Sequence, residues 1–302
     1  MPELLSLVLT LKPLKLPADP ASLPRWWGRA AHALLLDLLR EKDEHLSAQM
    51  HDGPESDINK GSSGNLVRPF TTSTLMGRFP DHNLGLEERY ALRLSAFRAD
   101  VAGILAQACE SGGPTPGRLA AGQTIELDYL PFLVERHSLQ AGAEPGPYAQ
   151  RSSYQEISAP YLLAKVPAPR RISLMFSSPT TFKSGGRHVP LPLPGLVFGS
   201  LLERWNSCAP LAFPPEARRY AEECLAISQY HLETRPVPQK SAGLRMGAIG
   251  RVTFSTLNYD RYWMSVLAVL AQFSLFSGLG VGASQGLGQC RRLPEREARE
   301  QA

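Results

Sequence analysis

Cysteine is scarce in this chain. Cys109, Cys208, Cys224 and Cys290 are the only four among 302 residues, and none forms a C-x-x-C pair or stands at ligand-like spacing from a histidine. That excludes a disulfide framework and a zinc pattern, and it fits reduced thiols in a cytoplasmic protein. Charge is modest too, at 20% of residues against 43% hydrophobic, which excludes wholesale disorder. A run long and apolar enough for a membrane is missing. Tyr262 to Cys290 has no charged side chain, but Ser265, Gln272, Ser274 and Ser277 interrupt it. Gly278 ends helical preference after about 17 residues, whereas a span needs roughly 20, so a helix buried against a sheet and no membrane are expected. The amino-terminal apolar run follows Glu3 and has no small-residue cleavage site, so no secretory signal is expected. No sequence repeat relates the two halves.

The net charge of +4 is unevenly placed. Residues 1–160 carry 15 Lys/Arg and 19 Asp/Glu, net −4, while residues 161–302 carry 17 and 9, net +8. A basic half beside an acidic half points either to a polyanion-binding face or to an ordinary solvated surface.

Residue periodicity gives a repeated order of elements. "LLSLVLTLKPL" alternates and is rich in β-formers, so it predicts a strand. Trp27, Ala31, Leu34, Leu35 and Leu38 recur at helical spacing, in a segment ended by Asp52-Gly53-Pro54. "VRPFTTSTLMG" and "EERYALRLSAF" predict strands, "RADVAGILAQACE" a short helix, and "TIELDYLPFLVE" another strand. Residues 137–160 are rich in Gly, Ala, Pro, Ser and Gln and read as a linker. The order then starts again. "RRISLMFSSPTTF" predicts a strand, "GLVFGSLLERWN" a helix, and "AISQYHLETRPV" and "GRVTFSTL" strands. "DRYWMSVLAVLAQFSLF" predicts a helix capped by Asp260, and "GLGQCRRL" a last strand. The fold class is therefore α+β, two tandem ferredoxin-like βαββαβ domains over 1–136 and 166–302 with an irregular 137–165 between them.

The stretch "FSGLGVGASQGLGQCRR" places Gly278, Gly280, Gly282, Gly286 and Gly288 between the last helix and the last strand. A dinucleotide-binding glycine loop runs the other way, from strand to helix, so no nucleotide cofactor is expected. Two readings remain: a long turn that needs positive φ angles, or a loop whose backbone N–H groups approach a phosphate.

A tandem ferredoxin-like chain ending in helix, glycine-rich loop and strand resembles the repeat-associated RNA-binding superfamily of CRISPR systems. Within it the chain is similar to the CRISPR-associated endoribonuclease family that processes CRISPR precursor RNA. "LSAQMHD" with "RPFTTSTL", "SSPTTFKSGGRHVPLPLPGLVFGSLLERWN", "GAIGRVTFST" and "FSGLGVGASQGLGQCRR" carry the likeness over residues 30–292. The resemblance implies metal-independent cleavage of CRISPR repeat RNA, with no cofactor. The ribose 2′-hydroxyl attacks its own phosphodiester and leaves 2′,3′-cyclic phosphate and 5′-hydroxyl ends. Such chemistry needs a proton acceptor, a proton donor and positive charge on the transition state.

The resemblance puts a general acid or base at His51 and a phosphate-directed cation at Arg68. Some members of that family have a tyrosine for proton transfer at the position of Leu36, which moves no proton; His32, about one turn earlier, is the substitute expected here. By the helical period Arg25, Arg29, His32, Leu36 and Arg40 share a face, either an RNA-facing stripe or a solvated edge. Lys183 and Arg187 in "FKSGGRH" are expected to contact RNA phosphates, together with Gly280, Gly282, Gly286, Gly288 and Arg291; His188 is a reserve for catalysis. Strand alternation sends Arg291 and Arg292 to opposite faces, so one of them at most joins the loop. The other class of function open to such a chain is a non-catalytic RNA-binding subunit among other CRISPR effector subunits. Homodimerisation is left open by the sequence.

Overall fold

The computed structural model describes residues 2–51, 67–112, 115–140, 148–238 and 243–294. The chain divides into two compact units, one of Met1–Arg151 with Ser284–Gly286, the other of Ser152–Ala283 with Leu287–Ala302.

The first unit runs β1 (Leu4–Pro13), α1 (Gly28–Lys42), α2 (Glu44–His51), β2 (Phe70–Thr72), β3 (Tyr90–Ala96), α3 (Ala99–Gln107), β4 (Thr124–Leu127) and β5 (Leu130–Ser138), with β6 (Gln150–Ser152) closing the sequence of elements. The strands order as β2-β3-β1-β5-β4. Leaving β4 aside, that is the ferredoxin-like order, with β1 in the middle and antiparallel to both β3 and β5. The alternation of β1 sends Leu5, Leu7, Leu9 and Leu11 to one face. There they join Ala31, Leu34, Leu35 and Leu38 of α1 and Val101 and Leu105 of α3 in one core.

Within β1–β5 two features differ from the sequence expectation. The first helix is broken in two. Asp43 turns extended, and its carboxylate accepts the Leu46 N–H at 2.9 Å, so it caps α2. "TIELDYLPFLVE" is a hairpin, because Asp128 and Tyr129 both take positive φ, 51° and 67°. That turn geometry normally recruits Asn-Gly or Asp-Gly.

The second unit runs α4 (Tyr154–Leu162), β7 (Arg171–Thr180), β8 (Phe182–Ser184), β9 (Arg187–Val189), α5 (Pro194–Cys208), α6 (Glu216–Cys224), β10 (Leu225–Pro238), β11 (Leu244–Thr256), α7 (Arg261–Ser277) and β12 (Cys290–Leu293). Its sheet orders as β10-β11-β7-β12, again ferredoxin-like, and β8-β9 form a separate hairpin. The stretch 137–165, expected to be irregular, carries the end of β5, then β6 and α4. The start of α4 is fixed by a capping box in which Ser153 and Glu156 bond each other's backbone N–H. Asp260 caps α7 as expected, accepting the Trp263 N–H at 3.0 Å. From Met264 to Ser277 that helix is buried except for Gln272, which accounts for its apolar run as core. Trp205 of α5 packs edge-on against Phe273 of α7 and stacks on Phe213. No helix among the described residues is long and apolar enough to cross a membrane.

Candidate active site

Within the first unit, α1, the segment entering β2 and the tip of the glycine-rich loop meet. The tip is a single 3-10 turn, Ala283–Gln285. The Ser284 carbonyl oxygen lies 2.9 Å from His32 Nδ1 and accepts a 2.9 Å bond from Thr72 Oγ1. A carbonyl oxygen only accepts, so the neutral His32 ring carries its proton on Nδ1 and presents Nε2 as an acceptor. The ring is further held against Phe70, with centroids 5.6 Å apart. Trp26 Nε1 donates to the Gln285 carbonyl at 2.7 Å, and Gly286 bridges to Ser73.

Arg68 joins this junction from the other side. Its Nε donates to the Met50 carbonyl at 2.9 Å, and Nη1 reaches Ser284 Oγ at 3.5 Å. The Met50 carbonyl belongs to the peptide leading into His51, the last residue of α2. Arg68 therefore ties the end of α2 to the loop tip. The His51 side chain lies outside the described residues.

Of the expected helical stripe, Arg29, His32, Leu36 and Arg40 lie in α1 at spacings that share a face, and Arg25 lies outside the helix. Arg25 is exposed but precedes α1, Leu36 packs on the core, and Arg40 is exposed and paired with Asp37 at 2.7 Å. Arg29, in the first turn of α1, is half-buried.

In the second unit Lys183 and Arg187 stand exposed, opposite His188 and Ser184, in the β8-β9 hairpin. Gly185 and Gly186 both take positive φ there, so "FKSGGRH" reverses in a tight two-residue turn. Partial burial, then the charges of Arg245 and Lys183, push the His188 pKa below its ordinary value. Arg245 on β11 also stands beside the glycine loop: a Cβ on Gly282 would come within 3.3 Å of its Nη1. Nothing local marked Arg245 in the sequence, because only the folding of β11 beside the hairpin and the loop brings it there.

Gly280 N–H donates to Ser200 Oγ at 2.9 Å and Gly288 N–H to the Pro179 carbonyl at 3.1 Å, so both donors are engaged within the protein. A Cβ at Gly280 would lie 2.4 Å from the Thr181 oxygen, and one at Gly288 would lie 1.9 Å from the Leu279 oxygen. Their positive φ and this crowding make those two glycines structural. Gly282 and Gly286 flank the tip. Arg291 and Arg292 pair in β12 opposite Met175 and Leu174, both half-buried, and Arg292 bonds the Tyr161 hydroxyl.

These are the parts of an α+β protein with two ferredoxin-like units and a carboxy-terminal glycine-rich loop. The family model for CRISPR-associated endoribonuclease Cas6 matches residues 174–290. A Cas6 endoribonuclease of Mycobacterium tuberculosis is 32% identical over 130 residues, which are 42% of this chain and 40% of that relative. One from Streptococcus thermophilus is 31% identical over 132 residues, 41% of this chain and 51% of that relative. The chain thus matches about half or less of the length of these curated relatives. Among solved structures, a Cas6 product complex superposes with a TM-score of 0.70 at 25% identity, covering 96% of this chain and 99% of that one. A Cas6 substrate mimic complex does so with a TM-score of 0.66 at 26% identity over 96% and 99%. The chain is thus similar to the Cas6 family, in sequence over residues 174–290 and in fold over nearly its whole length.

Proposed function

We propose that this protein is an endoribonuclease that cleaves CRISPR repeat RNA into guide RNA. The ribose 2′-hydroxyl attacks the adjacent phosphodiester, forming a new O–P bond as the bond to the 5′ oxygen breaks. The attacking hydroxyl loses its proton to a base, and the leaving 5′ oxygen receives one from an acid. His51, through its place in the family-like sequence motif, and His32, whose Nδ1 is engaged by the Ser284 carbonyl, are the two histidines assigned to these proton transfers. Arg68 supplies a permanent positive charge for the phosphorane-like transition state, and no metal takes part. The basic hairpin residues Lys183 and Arg187, with Gly282 and Gly286 of the loop, hold the RNA backbone.

The observation that carries this reading is Arg68, bonded both to the peptide that enters His51 and to Ser284, whose own carbonyl orients His32. The test is incubation with repeat RNA in EDTA followed by analysis of the product ends. Cyclic phosphate and 5′-hydroxyl ends support the mechanism; cleavage that needs a divalent metal refutes it. One observation favours a second reading, a non-catalytic RNA-binding subunit of an effector complex. Leu36 packs on the core at the position where some members of the resembled family carry a proton-transferring tyrosine. Tight binding of repeat RNA with no cleavage would decide for that reading.

A further inference from the structure

We propose that Arg204 of α5 is a positioning residue for the glycine-rich loop, acting on RNA through the loop and not by touching it. The inference rests on the reading of that loop as an RNA contact. α7 ends at Ser277 without a basic residue in its own last turn, so its terminal carbonyls need donors from elsewhere. Arg204 supplies them. Its Nη1 donates to the Ser277 carbonyl at 3.2 Å and its Nη2 to the Gly280 carbonyl at 2.7 Å. Ser200, one helical turn earlier on α5, accepts the Gly280 N–H at 2.9 Å. Both polar groups of Gly280 are therefore held by one helix, and the exit of the chain from α7 is fixed two residues before Gly282. The two carbonyls stand three residues apart, a separation that a forked guanidinium bridges and a single ammonium does not.

The experiment uses the full chain and repeat RNA made non-cleavable by a 2′-deoxy sugar at the scissile position. For wild type, Arg204→Met and Arg204→Lys, the dissociation constant is measured as a function of salt, beside the melting temperature and amide hydrogen exchange of the loop. Arg204→Met is expected to bind roughly tenfold more weakly, with the slope of log K against log salt unchanged, because no phosphate contact is removed. Arg204→Lys is expected to fall between the two, and exchange at Leu279–Gly282 to quicken in Arg204→Met. A slope lower by about 0.7 to 0.9 would overturn the proposal, since Arg204 would then touch a phosphate itself. So would a lowered melting temperature with unaltered affinity and unaltered loop exchange. If Arg204→Met does not fold, Arg204→Lys and Ser200→Ala carry the same comparison. Should wild type fail to bind repeat RNA, the functional reading falls, and hydrogen exchange alone still decides whether Arg204 holds the loop.

Discussion

Gly28→Ala puts the seating of the loop tip against α1 to a direct test. Gly28 opens α1, and a Cβ there would sit 1.9 Å from the Gln285 carbonyl oxygen and 2.6 Å from Trp26 Nε1. Ordinary contact begins near 3.4 Å, so the Gln285 peptide must retreat by about 1.5 Å. That movement breaks the Trp26 bond to Gln285 and, one residue away, pulls Ser284 from His32 and Thr72. Three hydrogen bonds at about 0.5–1.5 kcal/mol each sum to a loss of roughly 1.5–4.5 kcal/mol. Alanine is otherwise the better helix former by about 1 kcal/mol, so the contact and propensity terms oppose each other. A net destabilisation of ~0.5–3.5 kcal/mol is expected in urea unfolding, together with a slower cleavage of repeat RNA because His32 loses its anchor. A Gly28→Ala protein that is as stable as wild type and cleaves as fast would refute the placement of Ser284–Gly286 on the first unit.

Other perturbations have defined outcomes. His137 on β5 is half-buried, its Nδ1 has no hydrogen-bond partner among the described residues, and burial, then the Arg151 charge, lowers its pKa from 6.5. The unfolded chain therefore takes up this proton first: the His137 contribution is complete above pH 6.5 and is lost as pH falls through the folded pKa. Melting temperatures at pH 7.5 and pH 5 should drop more for wild type than for His137→Phe, and an equal drop would contradict this. Tyr129 is 92% exposed with φ of 67°, so Tyr129→Gly removes strain and almost no packing. A gain of roughly 1 kcal/mol in thermal unfolding is expected, and a loss would mean that the side chain makes a contact.

The order of elements was legible because it rests on local signals. β1 alternates, α7 carries a long apolar run with Asp260 at its start, and the glycine loop follows a helix. The hairpin at Asp128-Tyr129 was missed because it lacks the glycine that positive φ usually recruits. The break at Asp43 was missed because the flanking apolar spacing continues past it. α6 follows a proline-rich approach that reads as loop. At the site, His32 and Arg68 were visible as residue types, but their meeting at Ser284 is a contact across more than two hundred residues of chain. Arg204 and Arg245 looked like ordinary basic residues on a helix and a strand. Their neighbours on the loop come from other elements, and no local pattern encodes them.

The proton-transfer claim is tested most directly by single-turnover cleavage of repeat RNA in EDTA by wild type and His51→Ala, with affinity measured in parallel. The expected result is a fall in cleavage rate of at least about 10²-fold with affinity nearly unchanged. Cleavage by His51→Ala at the wild-type rate would contradict it.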